Sequence, residues 1–203
     1  MQESRIKFLN LVRNRAPKYN ERPVIESKID NLLNNKMLIE SVTSITSSIG
    51  DIPYAIIGGH AVTIHGNPRT TDDVDILTAP QHVDAIVAAL GAEVENTLTI
   101  GGVAAKLLGV EIDIIAPEMS WVDDALKEAE NTKYGRVVSK PWLVLTKIWA
   151  SRGMTDDHDI IKTLRSMNAD EQKYTVWLVK KHFDHMEDDI GQMIELANMG
   201  FDL

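Results

Sequence analysis

The most constraining feature of the sequence is the alternation of acidic and apolar residues in Asp73-Val74-Asp75-Ile76-Leu77. Successive side chains of a β-strand point to opposite faces, so this pattern predicts a strand with one acidic face and one buried face. Val110-Glu111-Ile112-Asp113-Ile114 alternates in the same way. The fold must bury the apolar face of both strands and pair or solvate their acids, because an unpaired buried charge is costly.

A glycine pair follows a short apolar run upstream of the first acidic strand. Tyr54-Ala55-Ile56-Ile57 leads directly into Gly58-Gly59, which predicts a buried strand that ends in a tight turn. Glycines at such a turn allow backbone amides to approach a phosphate closely. The other interpretation is a plain turn with no ligand.

The rest of the chain is mainly helical in pattern. We expect one long amphipathic helix over 24–49, ended by Gly50, and another helix over 80–90, ended by Gly91. Three short strands separated by glycines are expected to form a meander at 97–100, 103–108 and 110–115. After Glu118 the pattern predicts only helices, at 119–130, 141–152, 156–167, 170–182 and 186–198.

These elements predict an α/β (α+β) chain with a small mixed β-sheet core flanked by helices. The expected organisation has an N-terminal arm and long helix at 1–50 packing on a core at 51–135. A helical C-terminal region or tail would follow at 136–203.

Composition excludes several classes of protein. The chain has no cysteine, which excludes a disulfide scaffold, a cysteine nucleophile and a thiolate zinc site. A formal net charge of −9 disfavours a protein that coats nucleic acid, although a basic excess at 1–20 leaves contact with an RNA end open. No signal-peptide pattern and no long apolar run is evident, so we expect a cytoplasmic protein with no membrane partner.

The acids Asp73, Asp75 and Asp113 are candidates for a cation site. If they converged at one part of the sheet they would repel one another without a cation, and oxygen ligands of this kind suit Mg²⁺ or Mn²⁺. Two such ions can stabilise the attacking and leaving oxygens of a phosphoryl displacement. The alternative is that the acids are exposed strand or turn residues. Arg69 could grip a phosphate or brace carboxylates through an ion pair, and neither role excludes the other.

The segment from Ile56 to Ile76 resembles the signature of the nucleotidyltransferase superfamily, whose catalytic domain is a polymerase-beta-like palm. That signature has an apolar strand, a Gly-Gly or Gly-Ser pair and, after about a dozen residues, an acid-apolar-acid-apolar strand. In this sequence Gly59 precedes Asp73 by fourteen positions, and Asp113 supplies the third acid on a later strand.

A later segment is similar to one branch of the superfamily, which contains small stand-alone bacterial nucleotidyltransferases and abortive-infection toxins. The helix with Lys147, the following Arg152, and Asp156 with Asp159 match that branch. Thr155 departs from it, because a lysine often stands there, and Gly59 replaces the serine of many superfamily members.

The resemblance implies a function and roles for individual residues. The catalytic, metal-binding acids would be Asp73, Asp75 and Asp113, with Mg²⁺ (or Mn²⁺) as cofactor and Asp113 also as the base. The nucleotide-binding residues would be Gly58, Gly59, Arg69, Thr71 and Lys147. Asp156 and Asp159 would brace the Lys147 helix.

The expected reaction moves a nucleoside monophosphate from an NTP such as ATP to an acceptor hydroxyl and releases pyrophosphate. The acceptor could be a protein, a tRNA end or a small molecule. The branch also suggests a toxin with an antitoxin partner, or a homodimer. The alternative is a catalytically inactive nucleotidyltransferase-like binding or regulatory protein of the antitoxin type, and the three retained acids favour the enzyme.

Histidines and tryptophans lie outside this pattern. His60 and His65 could touch a base or a phosphate, but ordinary packing is the simpler expectation. Trp121, Trp142, Trp149 and Trp177 fall at core-like helix positions and are predicted to be packing residues.

Overall fold

The computed structural model describes residues 42–150 and 154–200, with the side chains of residues 154 and 155 left out. Within these ranges, none of the helices is both long and apolar enough to cross a membrane. Most of the predicted helix at 24–49, the basic segment at 1–20 and Arg152 lie outside the described residues. Residues 42–49 are helical and form α1.

A mixed sheet of seven strands in the order β3-β4-β5-β2-β1-β7-β6 forms the centre of the described chain. β2 lies between β5, which is parallel to it, and β1, which is antiparallel to it. β7 pairs with β1 in parallel and extends the sheet on that side. The strands are β1 (Ala55–Ile56), β2 (Asp73–Leu77), β3 (Glu93–Thr97), β4 (Gly102–Leu107), β5 (Val110–Ile115), β6 (Glu130–Thr132) and β7 (Gly135–Val137).

Helices flank the sheet and continue beyond it to the end of the described residues. After α1 the helices are α2 (Gly58–Ile64), α3 (Val83–Leu90), α4 (Val122–Lys127), α5 (Lys140–Ala150), α6 (Met154–Arg165), α7 (Ala169–His182) and α8 (Glu187–Asn198). α3 is preceded by a 3₁₀ turn, Pro80–His82, and ends at Gly91 in the left-handed conformation. α7 begins with a capping box in which Asn168 and Glu171 satisfy each other's backbone N–H groups.

Two groups of buried side chains hold these elements together. The larger group joins the inner face of the sheet, including Val74, Ile76, Ile112 and Ile114, to α1, α3, α4 and α5. The smaller group lies among α5, α6, α7 and α8. α5 contributes to both groups, since Leu143 and Leu145 belong to the first and Val144 to the second. α5 therefore packs against both groups.

Three details differ from the sequence-based expectation. The first meander strand is Glu93–Thr97, and residues 98–101 form the turn after it, not a strand over 97–100. The region after Glu118 is not purely helical, because β6 and β7 form a hairpin there. α2 begins already at Gly58, so the glycine pair forms the first turn of the helix.

Candidate active site

The three predicted acids come together on one face of the sheet. In the parallel register of β2 and β5, Asp75 lies beside Asp113 and Asp73 beside Glu111. Val74 and Ile112 point to the opposite face and are fully buried. Asp73, Asp75 and Asp113 each offer one carboxylate oxygen, and these atoms lie within 4.8 Å of one another. A set of hard oxygen donors at this spacing fits a divalent cation such as Mg²⁺ or Mn²⁺.

The glycine pair is packed directly against the residues of the acidic strand. Gly58 has a φ of +62°, and a Cβ atom there would overlap the Asp75 carboxylate. At Gly59 a Cβ would lie 2.6 Å from the Thr71 hydroxyl oxygen and 3.2 Å from Arg69 Nε. Both positions therefore require glycine, and the backbone of this turn reaches the carboxylates and the Arg69 side chain more closely than any other residue type would permit.

Thr71 links the start of β2 to the acidic cluster. Its hydroxyl donates a hydrogen bond of 2.7 Å to one oxygen of Asp73. The residue is buried beneath Gly59. Thr71 therefore supports Asp73. Its predicted role in nucleotide binding stays a prediction.

The predicted cations Arg69 and Lys147 share one carboxylate, that of Asp159. Arg69 Nη1 donates to Asp159 Oδ2 at 2.6 Å, and Lys147 Nζ lies 2.8 Å from the same oxygen. Lys147 Nζ also donates to Asp156 Oδ1 at 2.8 Å. The lysine side chain is 8% exposed and that of Asp159 3%, whereas Arg69 is 29% exposed. This network joins the segment before β2 to α5 and α6, and Arg69 is its most accessible cation.

His60 is buried behind the glycine pair. It is 4% exposed, and its Nε2 has no hydrogen-bond partner among the described residues. Burial lowers the pKa of the imidazole; the Asp73 carboxylate opposes this shift, and the Arg69 guanidinium adds to it. His60 is therefore neutral at physiological pH. His65 instead makes a 2.7 Å hydrogen bond to the Val138 carbonyl, which is a structural role.

A cavity of about 270 Å³ lies over these groups. The glycine pair, Asp73 and Asp75 line it, as do Arg69, Lys147 and Asp156. The other lining residues are Ile57, Ile100, Ile115, Thr146, Trp149 and Ala150. The lining therefore combines charged side chains, which we call the charged wall, with apolar side chains. Sequence reasoning missed the contribution of Trp149, since its helical spacing resembles that of a core residue.

The four tryptophans differ in their surroundings. Trp121 and Trp142 are each 1% exposed, as predicted for packing residues. Trp177 is 51% exposed on α7, so its assignment to the core was wrong. Trp149 and Trp121 form an edge-to-face pair with a ring-centroid distance of 5.6 Å, and Trp149 also lines the cavity.

Comparison with solved structures finds nucleotidyltransferases among the similar chains. No protein-family model and no curated protein matches the sequence. A solution structure of the antibiotic-resistance factor ANT(2'')-Ia is 15% identical, with a TM-score of 0.53 over 78% of this chain and 98% of that one. A crystal structure of ANT(2'')-Ia with adenylyl-2''-tobramycin is 16% identical, with a TM-score of 0.43 over 80% and 96% of the two chains. TM1012 from Thermotoga maritima, assigned to the nucleotidyltransferases, is 13% identical, with a TM-score of 0.46 over 58% and 85%. The expectation from the sequence is confirmed at the level of architecture: this chain has the nucleotidyltransferase fold.

Proposed function

We propose that the chain is a metal-dependent nucleotidyltransferase that moves a nucleoside monophosphate from an NTP to an acceptor hydroxyl. The observation that carries the proposal is the convergence of Asp73, Asp75 and Asp113, whose ligand oxygens lie within 4.8 Å of one another. The first two of these acids line a cavity with the Gly58-Gly59 turn, and the fold is that of nucleotidyltransferases.

The residues have distinct roles in this reaction. Mg²⁺ or Mn²⁺ held by the acids would neutralise charge on the phosphates. Asp113 accepts the proton of the acceptor hydroxyl, whose oxygen forms a bond to the α-phosphorus. The bond from the α-phosphorus to the bridging oxygen breaks, and pyrophosphate leaves. Asp73 and Asp75 would hold the metal ion against which the reacting phosphate is positioned, and the Thr71 hydroxyl orients Asp73.

The triphosphate end of the substrate fits the charged wall of the cavity. The backbone of Gly58 and Gly59 supports close approach of phosphate oxygens, because no side chain stands in the way. Arg69 binds the outer phosphates, since it is the cation of the network with the most exposed side chain. Lys147 lines the same wall, but two carboxylates balance its charge, so it contributes less attraction than an unpaired lysine.

The acceptor and the biological setting remain predictions. The acceptor hydroxyl belongs to a protein side chain, a tRNA end or a small molecule. A toxin role, an antitoxin partner, a homodimer and a cytoplasmic location are likewise expectations from the resemblance. Co-purification of the tagged chain with the products of neighbouring genes tests the partner directly.

Transfer of label from nucleotides tests the function. The protein is incubated with each α-labelled NTP, Mg²⁺ or Mn²⁺ and a cell lysate, which is then separated into protein, RNA and small molecules. We expect one fraction to be labelled by the wild type, with loss of labelling in Asp73→Asn. Asp72→Asn is the matched control, because Asp72 is the exposed neighbour outside the cluster. Equal labelling by wild type and Asp73→Asn contradicts the proposal. Metal-dependent NTP binding without any transfer supports the inactive binding protein instead.

A further inference from the structure

The cavity changes character along the direction of the acidic strands. Arg69 precedes β2, and Asp73 and Asp75 follow on the same strand. Ile115 lies two residues after Asp113 on the same face of β5 and also lines the cavity. At about 3.3 Å per residue, Ile115 is displaced by roughly 7 Å from the level of the metal-ligand acids, away from the cations.

The same order appears on the helix that covers the cavity. Lys147 of α5 lies in the ion-pair network, and Trp149 and Ala150 follow it along the cavity wall. Ile100, from the turn between β3 and β4, completes an apolar end together with Ile115 and Trp149. The charged end and the apolar end are therefore separated by the acids.

Trp149 is held in a defined orientation. Its ring and that of Trp121 form an edge-to-face pair with an interplanar angle of 68°, and Trp121 is fully buried. Trp149 itself is only part-buried and borders the cavity. An aromatic ring fixed on one side and open to a cavity on the other is suited to contact with a flat, apolar group.

We propose that Trp149, Ile100 and Ile115 form the nucleobase-binding wall of the site, with Trp149 as its principal contact. This inference rests on the proposed function, because it places the triphosphate at the charged end. With the α-phosphate at the acids, the ribose and base extend towards the apolar end. Faces of nucleobases bind aromatic side chains through stacking and burial, whichever base they belong to.

Calorimetry with two ligands separates the base from the phosphates. Mg²⁺-ATP and Mg²⁺-tripolyphosphate are titrated into wild type, Trp149→Leu, Trp149→Phe and Ile100→Ala. We expect Trp149→Leu to weaken ATP binding roughly 5- to 150-fold, as stacking contacts of this kind contribute. Its affinity for tripolyphosphate should stay at the wild-type level, and Trp149→Phe should recover most of the ATP affinity. Trp177→Leu, on the exposed face of α7, is the matched control and should bind both ligands normally.

Each result has a definite meaning. Unchanged ATP binding in Trp149→Leu overturns the inference. This holds even if the variant transfers the nucleotide to the acceptor more slowly, because Trp149 would then bind the acceptor and not the base. Equal weakening of both ligands overturns it too, because Trp149 would then support the phosphate end or the fold. Ile100→Ala serves as the second variant if Trp149→Leu does not fold, because Ile100 is 38% exposed in a turn. If Ile100→Ala weakens the binding of ATP but not of tripolyphosphate, the inference is supported. If Ile100→Ala binds ATP as the wild type does, the inference is overturned. Failure of wild type to bind either ligand contradicts the proposed function itself.

Discussion

Replacing Asp by Asn at two positions of α6, Asp157 and Asp159, should change the free energy of unfolding in opposite directions. Asp159 is 2% exposed and balances both Arg69 and Lys147 through a single oxygen. Asp159→Asn removes the charged oxygen that Arg69 and Lys147 share, although Lys147 keeps its ion pair with Asp156. Breaking a buried ion pair costs about 3–5 kcal/mol. Because the Arg69 side chain is 29% exposed and water can hydrate it, we expect the lower end, about 3 kcal/mol.

Asp157→Asn should instead stabilise the protein at neutral pH. Burial raises the pKa of Asp157, and the neighbouring Asp156 carboxylate raises it further. A raised carboxyl pKa means that the ionised form is disfavoured in the folded state, so the charge costs stability at pH values above the folded pKa. The gain from Asp157→Asn should therefore disappear when the pH falls below 3.8, the ordinary value, where the carboxyl is protonated in both states.

Urea unfolding followed by circular dichroism measures both changes. We expect Asp159→Asn to lower the midpoint strongly and Asp157→Asn to raise it slightly, with similar slopes in both variants. A loss below about 1 kcal/mol for Asp159→Asn, the range of exposed ion pairs, would refute the view that the network is a buried support. Destabilisation by Asp157→Asn at pH 7 would refute the assignment of its charge as unfavourable.

Three further substitutions test other contacts. Gly58→Ala should lower the free energy of unfolding by about 1–2 kcal/mol because of the left-handed backbone, and it should weaken metal binding because the new methyl group overlaps a carboxylate of the cluster. Gly91 has the same φ but open space around it. Gly91→Ala should therefore show only the backbone effect in thermal unfolding and should bind metal normally. Glu128→Ala should cost about 1–3 kcal/mol in urea unfolding, because it removes the 2.8 Å acceptor of the buried Trp142 indole N–H. His60→Gln should reduce the loss of stability as the pH falls below 6.5. Burial lowers the pKa of His60 in the folded protein, so below 6.5 the proton binds the unfolded chain more readily and favours unfolding. An unchanged dependence of the unfolding free energy on pH would contradict this.

The sequence predicted the elements whose pattern is local and strongly periodic. β2 has the predicted bounds, Asp73–Leu77, because alternation over five residues is a clear signal. The hairpin of β6 and β7 was missed, since strands of three residues are too short to show alternation. β7 exists because it pairs in parallel with β1, and such a contact between distant segments is not visible in local sequence.

Prediction of the site had a similar limit. The acids and the glycine pair could be identified because their residue types already indicate their chemistry. Arg69 left two roles open, and the structure pairs it with Asp159, ninety positions further along the chain. Trp149 and Trp142 have the same residue type and lie on the same helix, and only the packing of that helix over the sheet distinguishes the cavity wall from the core.

The parallel pairing of β2 with β5 makes the acidic cluster a direct reporter of strand register. Asp75 lies beside Asp113 only when β2 and β5, which are separated in the chain by α3, β3 and β4, are aligned in this register. A slip of one position would bring Ile112 or Ile114 to the acidic face and bury the third acid. A divalent ion that binds the cluster would therefore select correctly aligned molecules and stabilise them against unfolding, by an amount that grows with the logarithm of its concentration once this exceeds Kd. In variants that leave the cluster and its immediate surroundings unchanged, metal affinity would then report whether β2 and β5 are correctly aligned.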